Sequence, residues 1–219
     1  MKIFATDTSA VAASCALAED GKIIFEFYTN AGLQHSRTLA PMIESAFKCT
    51  EISISDVDCF AVSKGPGSFT GVRIGIAAVK GMAFEKDKPC VGVSTLEAMA
   101  YNLECVKGII CSVMDARCSQ VYNALFEFKE GGLSRLCDDR VLTVDELGSE
   151  LKNEKKPIIF VGDGALLCYN RLKDSLFDAH IAPEGQRFQR ASGVIKAAQT
   201  ALSKGQSVSA GELLPSYLR

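Results

Sequence analysis

Apolar and polar positions along the chain fall into blocks that change period. Residues 2–8, 11–18 and 22–28 read as three successive strands, and Glu19-Asp20-Gly21 between the last two suits a hairpin turn. From 35 to 49 the spacing becomes helical, with Leu39, Met42, Ile43, Ala46 and Phe47 on one side. A short apolar run at 59–62 reads as a buried strand. After it come the turn Gly65-Pro66-Gly67 and a helix over 68–84, which Ser68 or Thr70 can cap. A strand at 90–93 and a helix over 94–103 follow, with Ser94 and Glu97 at capping-box spacing. The order β-β-β-α-β-α-β-α predicts an α/β fold, a mixed sheet flanked by helices.

Beyond residue 105 the pattern starts again. Residues 4–19 and 112–127 superpose at one offset, 115 − 7 = 108, pairing Asp7 with Asp115, Ala16 with Ala124, Leu17 with Leu125 and Glu19 with Glu127. Both segments read strand, aspartate-bearing turn, strand, and each is followed by a glycine turn, Gly21 in one and Gly131-Gly132 in the other. An internal duplication is the expectation. A helix over 142–151, a strand at 158–161 and helices over 165–172 and 191–202 would complete a second, reduced lobe. The expected division is 1–104 and 105–219, with the helix near 191–203 able to pack back onto the first lobe.

Composition narrows the function classes. The 219 residues are 47% hydrophobic and 23% charged, as expected of one large or two small globular domains. A net charge of −2 gives no bulk attraction for nucleic acid, and the densest basic spot, 152–156, is broken by Asn153 and Glu154 and reads as a solvated helix end. Nine cysteines include no CxxC pair, and Cys15 and Cys59 sit in apolar surroundings, so buried reduced thiols are expected rather than a disulfide scaffold. Asp7 arrives too early for a signal peptide, and no run of about 18 apolar residues is present, so no membrane span and a cytoplasmic location are expected.

The candidate chemistry centres on Gly65-Pro66-Gly67-Ser68-Phe69-Thr70-Gly71-Val72-Arg73-Ile74-Gly75. A strand, a glycine turn and a helix N-terminus present free N–H groups at a positive dipole end, which suits an anion. Asp7-Thr8-Ser9, at the tip of the first strand, can hold a hydrated magnesium ion and phosphate oxygens, or can simply be turn residues. The usual nucleotide motifs are absent. Val72-Arg73 stands where a P-loop has Lys and Ser or Thr, and Gly65, Gly67 and Gly71 give GxGxxxG, not GxGxxG. Gly71, Gly75, Ala78 and nearby Gly81 recur at helical spacing, so another backbone comes close, from the protein's own sheet or from a partner helix. His35 and His180 make a poor metal pair, and no serine or cysteine has a base at hand. No catalytic or metal-binding residue is assigned.

These segments resemble a known family. Ile3–Ser9, Gln34-His35-Ser36, Ala61–Gly75, Lys80-Gly81, Gly92–Ala98, Asp115-Ala116-Arg117 and the terminal Pro215-Ser216-Tyr217-Leu218-Arg219 resemble the TsaB (YeaZ) family of threonylcarbamoyladenosine biosynthesis proteins. The likeness is dense in the N-terminal half and patchy beyond it. It implies a two-lobed actin/hexokinase/Hsp70-type (ASKHA) fold and a role in modifying the adenosine beside the anticodon of tRNA. In the related catalytic subunit, TsaD, two metal-binding histidines at HxxxH spacing fall where this chain has Thr95 and Met99, neither a good ligand for a hard ion. The resemblance therefore implies a non-catalytic paralogue that needs no cofactor. It would bind TsaD through the helices starting near His35 and Ser68, with His35, Ser36, Leu39, Ser68, Gly71, Gly75 and Ala78 as contact candidates. The TsaE ATPase would join the complex and tRNA would be met through it, while the same helices could form a homodimer in isolation. Weak ATP or ADP with magnesium would fall to Asp7, Thr8, Ser9, Gly65 and Gly67. The second-lobe counterpart, Asp115-Ala116-Arg117, lacks both hydroxyls of a phosphate clamp. The runner-up is a small phosphotransferase of the acetate- or sugar-kinase type, which would need tight Mg-ATP binding through Asp7. A peptidase, suggested by an older family name, would need a metal or a nucleophile.

Overall fold

The computed structural model describes residues 1–32 and 34–218, so Arg219 of the terminal motif lies outside the described residues. In chain order the elements are β1 (Lys2–Asp7), β2 (Ala13–Glu19), β3 (Lys22–Thr29), α1 (His35–Thr50), β4 (Cys59–Gly65), α2 (Phe69–Phe84), β5 (Cys90–Ser94) and α3 (Thr95–Ala100). There follow β6 (Ile109–Arg117), β7 (Gln120–Lys129), β8 (Gly132–Arg135), β9 (Arg140–Thr143), α4 (Val144–Leu151), β10 (Ile158–Val161), α5 (Ala165–Leu172), β11 (Ala179–Ile181), α6 (Glu184–Arg187) and α7 (Ala191–Ser203). They group into two units: Met1–Ala98 with Gln189–Ser216, and Met99–Phe188 with Tyr217 and Leu218.

The first unit is a five-stranded sheet in the order β3-β2-β1-β4-β5, antiparallel across β3-β2-β1 and parallel from β1 through β4 to β5. The β2–β3 hairpin turns through Asp20 and Gly21, at φ +48° and +85°, as its Asp-Gly step dictates. β1 is the central strand, and all but its first residue is buried. Its side chains alternate between faces. Phe4 joins Leu17, Phe60, Val62, Val72, Val79, Met42 and Ala46 in a core under α1 and α2. Ile3 and Ala5 point to the opposite face, and α7 packs on β1, β2, β4 and β5. Glu26 on β3 fixes the head of α7, accepting from Ser192 N at 3.0 Å and from Arg190 Nη2 at 2.8 Å.

The second unit repeats this order with one addition. Its sheet runs β8-β7-β6-β10-β11, and β9 pairs with β7. β6–β7 and β7–β8 are antiparallel, and β6–β10 and β10–β11 parallel, so each strand has a counterpart in the first sheet. The duplication read from Asp7 and Asp115 is therefore carried by the topology. Its core gathers Val113, Val121, Leu147, Phe160, Cys168 and Leu172.

Several boundaries differ from expectation for local reasons. The helix expected over 142–151 begins at Val144, because Thr143 is its N-cap: Glu146 N donates to Thr143 Oγ1 at 3.2 Å and Thr143 N to Glu146 Oε2 at 2.8 Å. Residues 140–143 are strand β9 instead. Ser68 likewise stands outside α2 as its N-cap. The helix expected over 94–103 ends at Ala100 and tightens into a 3-10 turn over Tyr101–Leu103.

Candidate functional site

Asp7, Thr8, Ser9, Gly65, Gly67 and Ser68 come together where β1 and β4 end and α2 begins, and their polar side chains bond inside the protein, to one another and to Ser63 and Gly71. Asp7 is fully buried. Its Oδ1 accepts from Ser9 N at 2.9 Å and Ser9 Oγ at 2.6 Å, and its Oδ2 accepts from Ser63 Oγ. Burial pushes the Asp7 carboxyl above its ordinary value, while the bonds from Ser63 and Ser9 and the nearby His35 pull it back. Thr8 Oγ1 donates to Gly71 O at 2.7 Å, inside the protein. At the head of α2, Ser68 N donates to Ser9 O at 2.6 Å, and Ser68 Oγ accepts from Gly71 N at 3.3 Å.

The glycines of the turn are there because backbone is close. A Cβ on Gly67, at φ +154°, would lie 2.4 Å from Ser9 O, and one on Gly65, at φ +118°, 2.4 Å from Ser216 O. The polar groups at this turn thus hold β1, β4 and α2 together. Asp115 in the second unit keeps only the local part of the pattern: its Oδ1 accepts from Arg117 N at 2.7 Å, and the residue is exposed. A second glycine turn, Gly162-Asp163-Gly164, opens α5 as Gly65-Pro66-Gly67 opens α2, and Gly162 has φ +113°. It lies at a different offset from the one that aligns the aspartates, so the aspartate repeat does not point to it.

The expected partner face needs correction. Gly71 and Gly75 are buried against Thr8, just past β1, and Val62 of β4, not turned outward. A Cβ on Gly71 would lie 2.0 Å from Thr8 O, and one on Gly75 2.7 Å from Thr8 Oγ1 and 3.2 Å from Val62 Cγ2. Leu39 is also unavailable, at 3% exposure in the core. His35 is half-buried and spends Nε2 on Ala10 O at 2.6 Å; a carbonyl only accepts, so that nitrogen carries the proton. Ser36 is exposed, and Ala78 is half-buried.

What lies open is the neighbouring stripe. Ala40, Ile43 and Phe47 of α1 and Ala77, Ala78 and Gly81 of α2 line an apolar groove of about 670 Å³. A Cβ on Gly81 would meet nothing within 4 Å. The α1 side was legible as helical apolar spacing. On α2, Ala77 and Met82 gave a weaker signal than the glycines. Thr95 and Met99 are fully buried, and among the described residues no three His, Cys, Asp or Glu side chains are grouped to hold a metal ion.

Known proteins share this architecture and sequence. The family model for TsaD, tRNA N6-adenosine threonylcarbamoyltransferase, matches residues 29–219. The tRNA threonylcarbamoyladenosine biosynthesis protein TsaB of Bacillus subtilis is 34% identical over 176 residues, covering 80% of this chain and 77% of that one. The chain belongs to the TsaB (YeaZ) branch of the TsaD-like family. A solved protein from Pseudomonas aeruginosa with similarity to YeaZ superposes with a TM-score of 0.83 at 26% identity, over 100% of this chain and 99% of its own. The activator of 2-hydroxyisocaproyl-CoA dehydratase from Clostridium difficile, solved with bound ADPNP, shares the fold alone. Its TM-score is 0.51 at 12% identity, with 94% of this chain and 96% of that one covered. The fold is the α/β actin-like, or ASKHA, type. Among the described residues no helix is long and apolar enough to cross a membrane.

Proposed function

We propose that this protein acts in tRNA threonylcarbamoyladenosine synthesis as a non-catalytic subunit that binds TsaD through α1 and α2. The observation that carries the docking site is the groove between these helices, where Ala77, Ala78 and Gly81 leave room for a partner backbone beside Ile43 and Phe47. Family membership supports the pathway. The non-catalytic role is supported by Thr95 and Met99, which stand where the family resemblance puts two metal-binding histidines. The bonds that Asp7, Thr8 and Ser9 make inside the protein weigh against that segment holding Mg-ATP, and with it against the phosphotransferase reading. TsaE and tRNA join through the complex, and two copies of this chain can meet through the same groove when TsaD is absent.

Reconstitution tests the proposal. Purified chain is combined with TsaD, TsaE, the enzyme that supplies threonylcarbamoyl-adenylate, and unmodified tRNA. Modified adenosine should form with the complete set and fall to background when this chain is left out. Equal modification without it would refute the proposal, as would a threonylcarbamoyl transfer activity of this chain alone.

A further inference from the structure

The terminal motif beginning at Pro215 has no part in the docking groove, yet the chain leading to it is built into the first unit. After α7 it returns along the free edge of β5, where Cys90 N donates to Val208 O at 2.8 Å and Val208 N to Cys90 O at 2.9 Å. Ser209 and Glu212 then close a reciprocal cap, with Glu212 Oε2 accepting from Ser209 Oγ at 2.8 Å. Ala210 and Leu213 enter the same core as Val72 and Val79 of α2. Lys80 of α2 reaches out to donate to Gly211 O at 3.1 Å. Ser216 N finally donates to Lys64 O at 2.7 Å, and Ser216 O fills the place of a Gly65 Cβ.

We propose that residues 208–216 form a positioning strap, with Ser216 as its clasp, that holds the Gly65-Pro66-Gly67 turn and the head of α2 in the geometry α2 presents to a partner. The link to a partner rests on the docking role proposed above; the clamping itself does not. Ser9 already holds Gly67 and Ser68, so the freedom left at this turn is at Gly65, where glycine allows several backbone conformations at little cost. The strap restricts that turn from both sides. It takes the last β4 carbonyl before the turn, and it fixes α2 further along through Lys80 and Leu213. It also explains why position 65 excludes a side chain: the obstacle is Ser216 backbone from 151 residues later in the chain (216 − 65).

Hydrogen exchange of the isolated 219-residue chain tests the clamp. Ser216→Pro removes the donated N–H, and truncation after Pro215 removes the whole clasp. Amides in residues 65–72 should exchange about five- to tenfold faster in either variant, the loss expected for one hydrogen bond, while residues 109–117 of the second unit keep their protection. Unchanged exchange at 65–72 overturns the proposal, as does an equal rise in both regions in Ser216→Pro, which leaves Tyr217 and Leu218 of the second unit in place. A cycle with Gly65→Ala reads the contact independently of that result. The loss of melting temperature caused by Gly65→Ala should be smaller in the truncated chain than in the full chain, since the obstructing carbonyl is gone; equal losses overturn the clasp. Affinity for TsaD, measured on the same variants, separates the two ideas. Faster exchange with weaker TsaD binding supports the strap and its role in docking. Faster exchange with undiminished binding supports the clamp, and shows that docking does not depend on the head of α2.

Discussion

Replacing Gly81 by leucine should stabilise the protein and weaken its partner binding, two effects of opposite sign from one substitution. Gly81 lies inside α2, is exposed, and has an open space where its Cβ would stand. Glycine is about 0.8–1 kcal/mol less favourable than alanine within a helix and leucine is close to alanine, so Gly81→Leu should add about 0.7 kcal/mol. For a chain of 219 residues that corresponds to a rise of about 2 °C in melting temperature. The new side chain also covers apolar surface of Phe47 and Met82, which line the same groove. A partner helix seated there would have to move out or repack, at about 1–3 kcal/mol for an overfilled contact. That is about a five- to 150-fold loss of affinity for TsaD. Differential scanning calorimetry and isothermal titration on the same preparation measure both. TsaD binding at undiminished affinity by the stabilised variant would refute the groove as the docking site. A lowered melting temperature would refute the openness of the position.

Gly71→Ala, at a buried position of the same helix, should instead destabilise the protein. Its Cβ would stand 2.0 Å from Thr8 O, so α2 must shift, and denaturant titration should show a loss of about 1–3 kcal/mol. Asp7 should tolerate asparagine better than alanine. Asparagine can still accept from Ser9 and donate to the Ser63 hydroxyl, whereas alanine strands three buried donors and should cost about 2–4 kcal/mol. Asp7→Asn should also keep full activity in the reconstituted reaction; its loss would restore a chemical role for that carboxylate. Ellman's reagent on native protein should react promptly at Cys49, Cys105 and Cys118, and at Cys15, Cys59, Cys90, Cys111 and Cys168 only after denaturation. Burial pushes the thiols of Cys15, Cys59 and Cys168 up to about 12 and that of Cys90 to about 11, from 9.0. The folded state therefore holds protons that the unfolded chain releases, so this contribution is complete below pH 9.0 and is lost as pH rises toward 11 and 12. Denaturant midpoints measured from pH 8 to pH 11 should fall with rising pH, and a flat profile would contradict the burial of these thiols.

The parts of this fold that were legible in the sequence are those fixed by neighbours a few residues away. The Asp20-Gly21 step sets a hairpin by its own φ preferences, and Ser68 announces the head of α2 because its cap partner is Gly71 N, three residues on. The duplication was legible through Asp7 and Asp115 because the strands beside them keep one offset. The second glycine turn was not: Gly162 follows Gly65 by 97 residues (162 − 65) and not 108, since the segments between the strands differ in length. The environment of Asp7 was hidden for a similar reason, as Ser63 lies 56 residues away. The small residues of α2 show the limit most directly. Gly75 and Gly81 are six positions apart, which at about 100° per residue puts them some 120° apart around the helix. Sequence spacing makes both look like places for a close backbone. One does meet the protein itself, though through side chains: Thr8 and Val62 fill the space beside Gly75. The other faces an empty groove, so the tertiary contact from Thr8, which the spacing cannot encode, decides which glycine builds the fold and which is left for a partner.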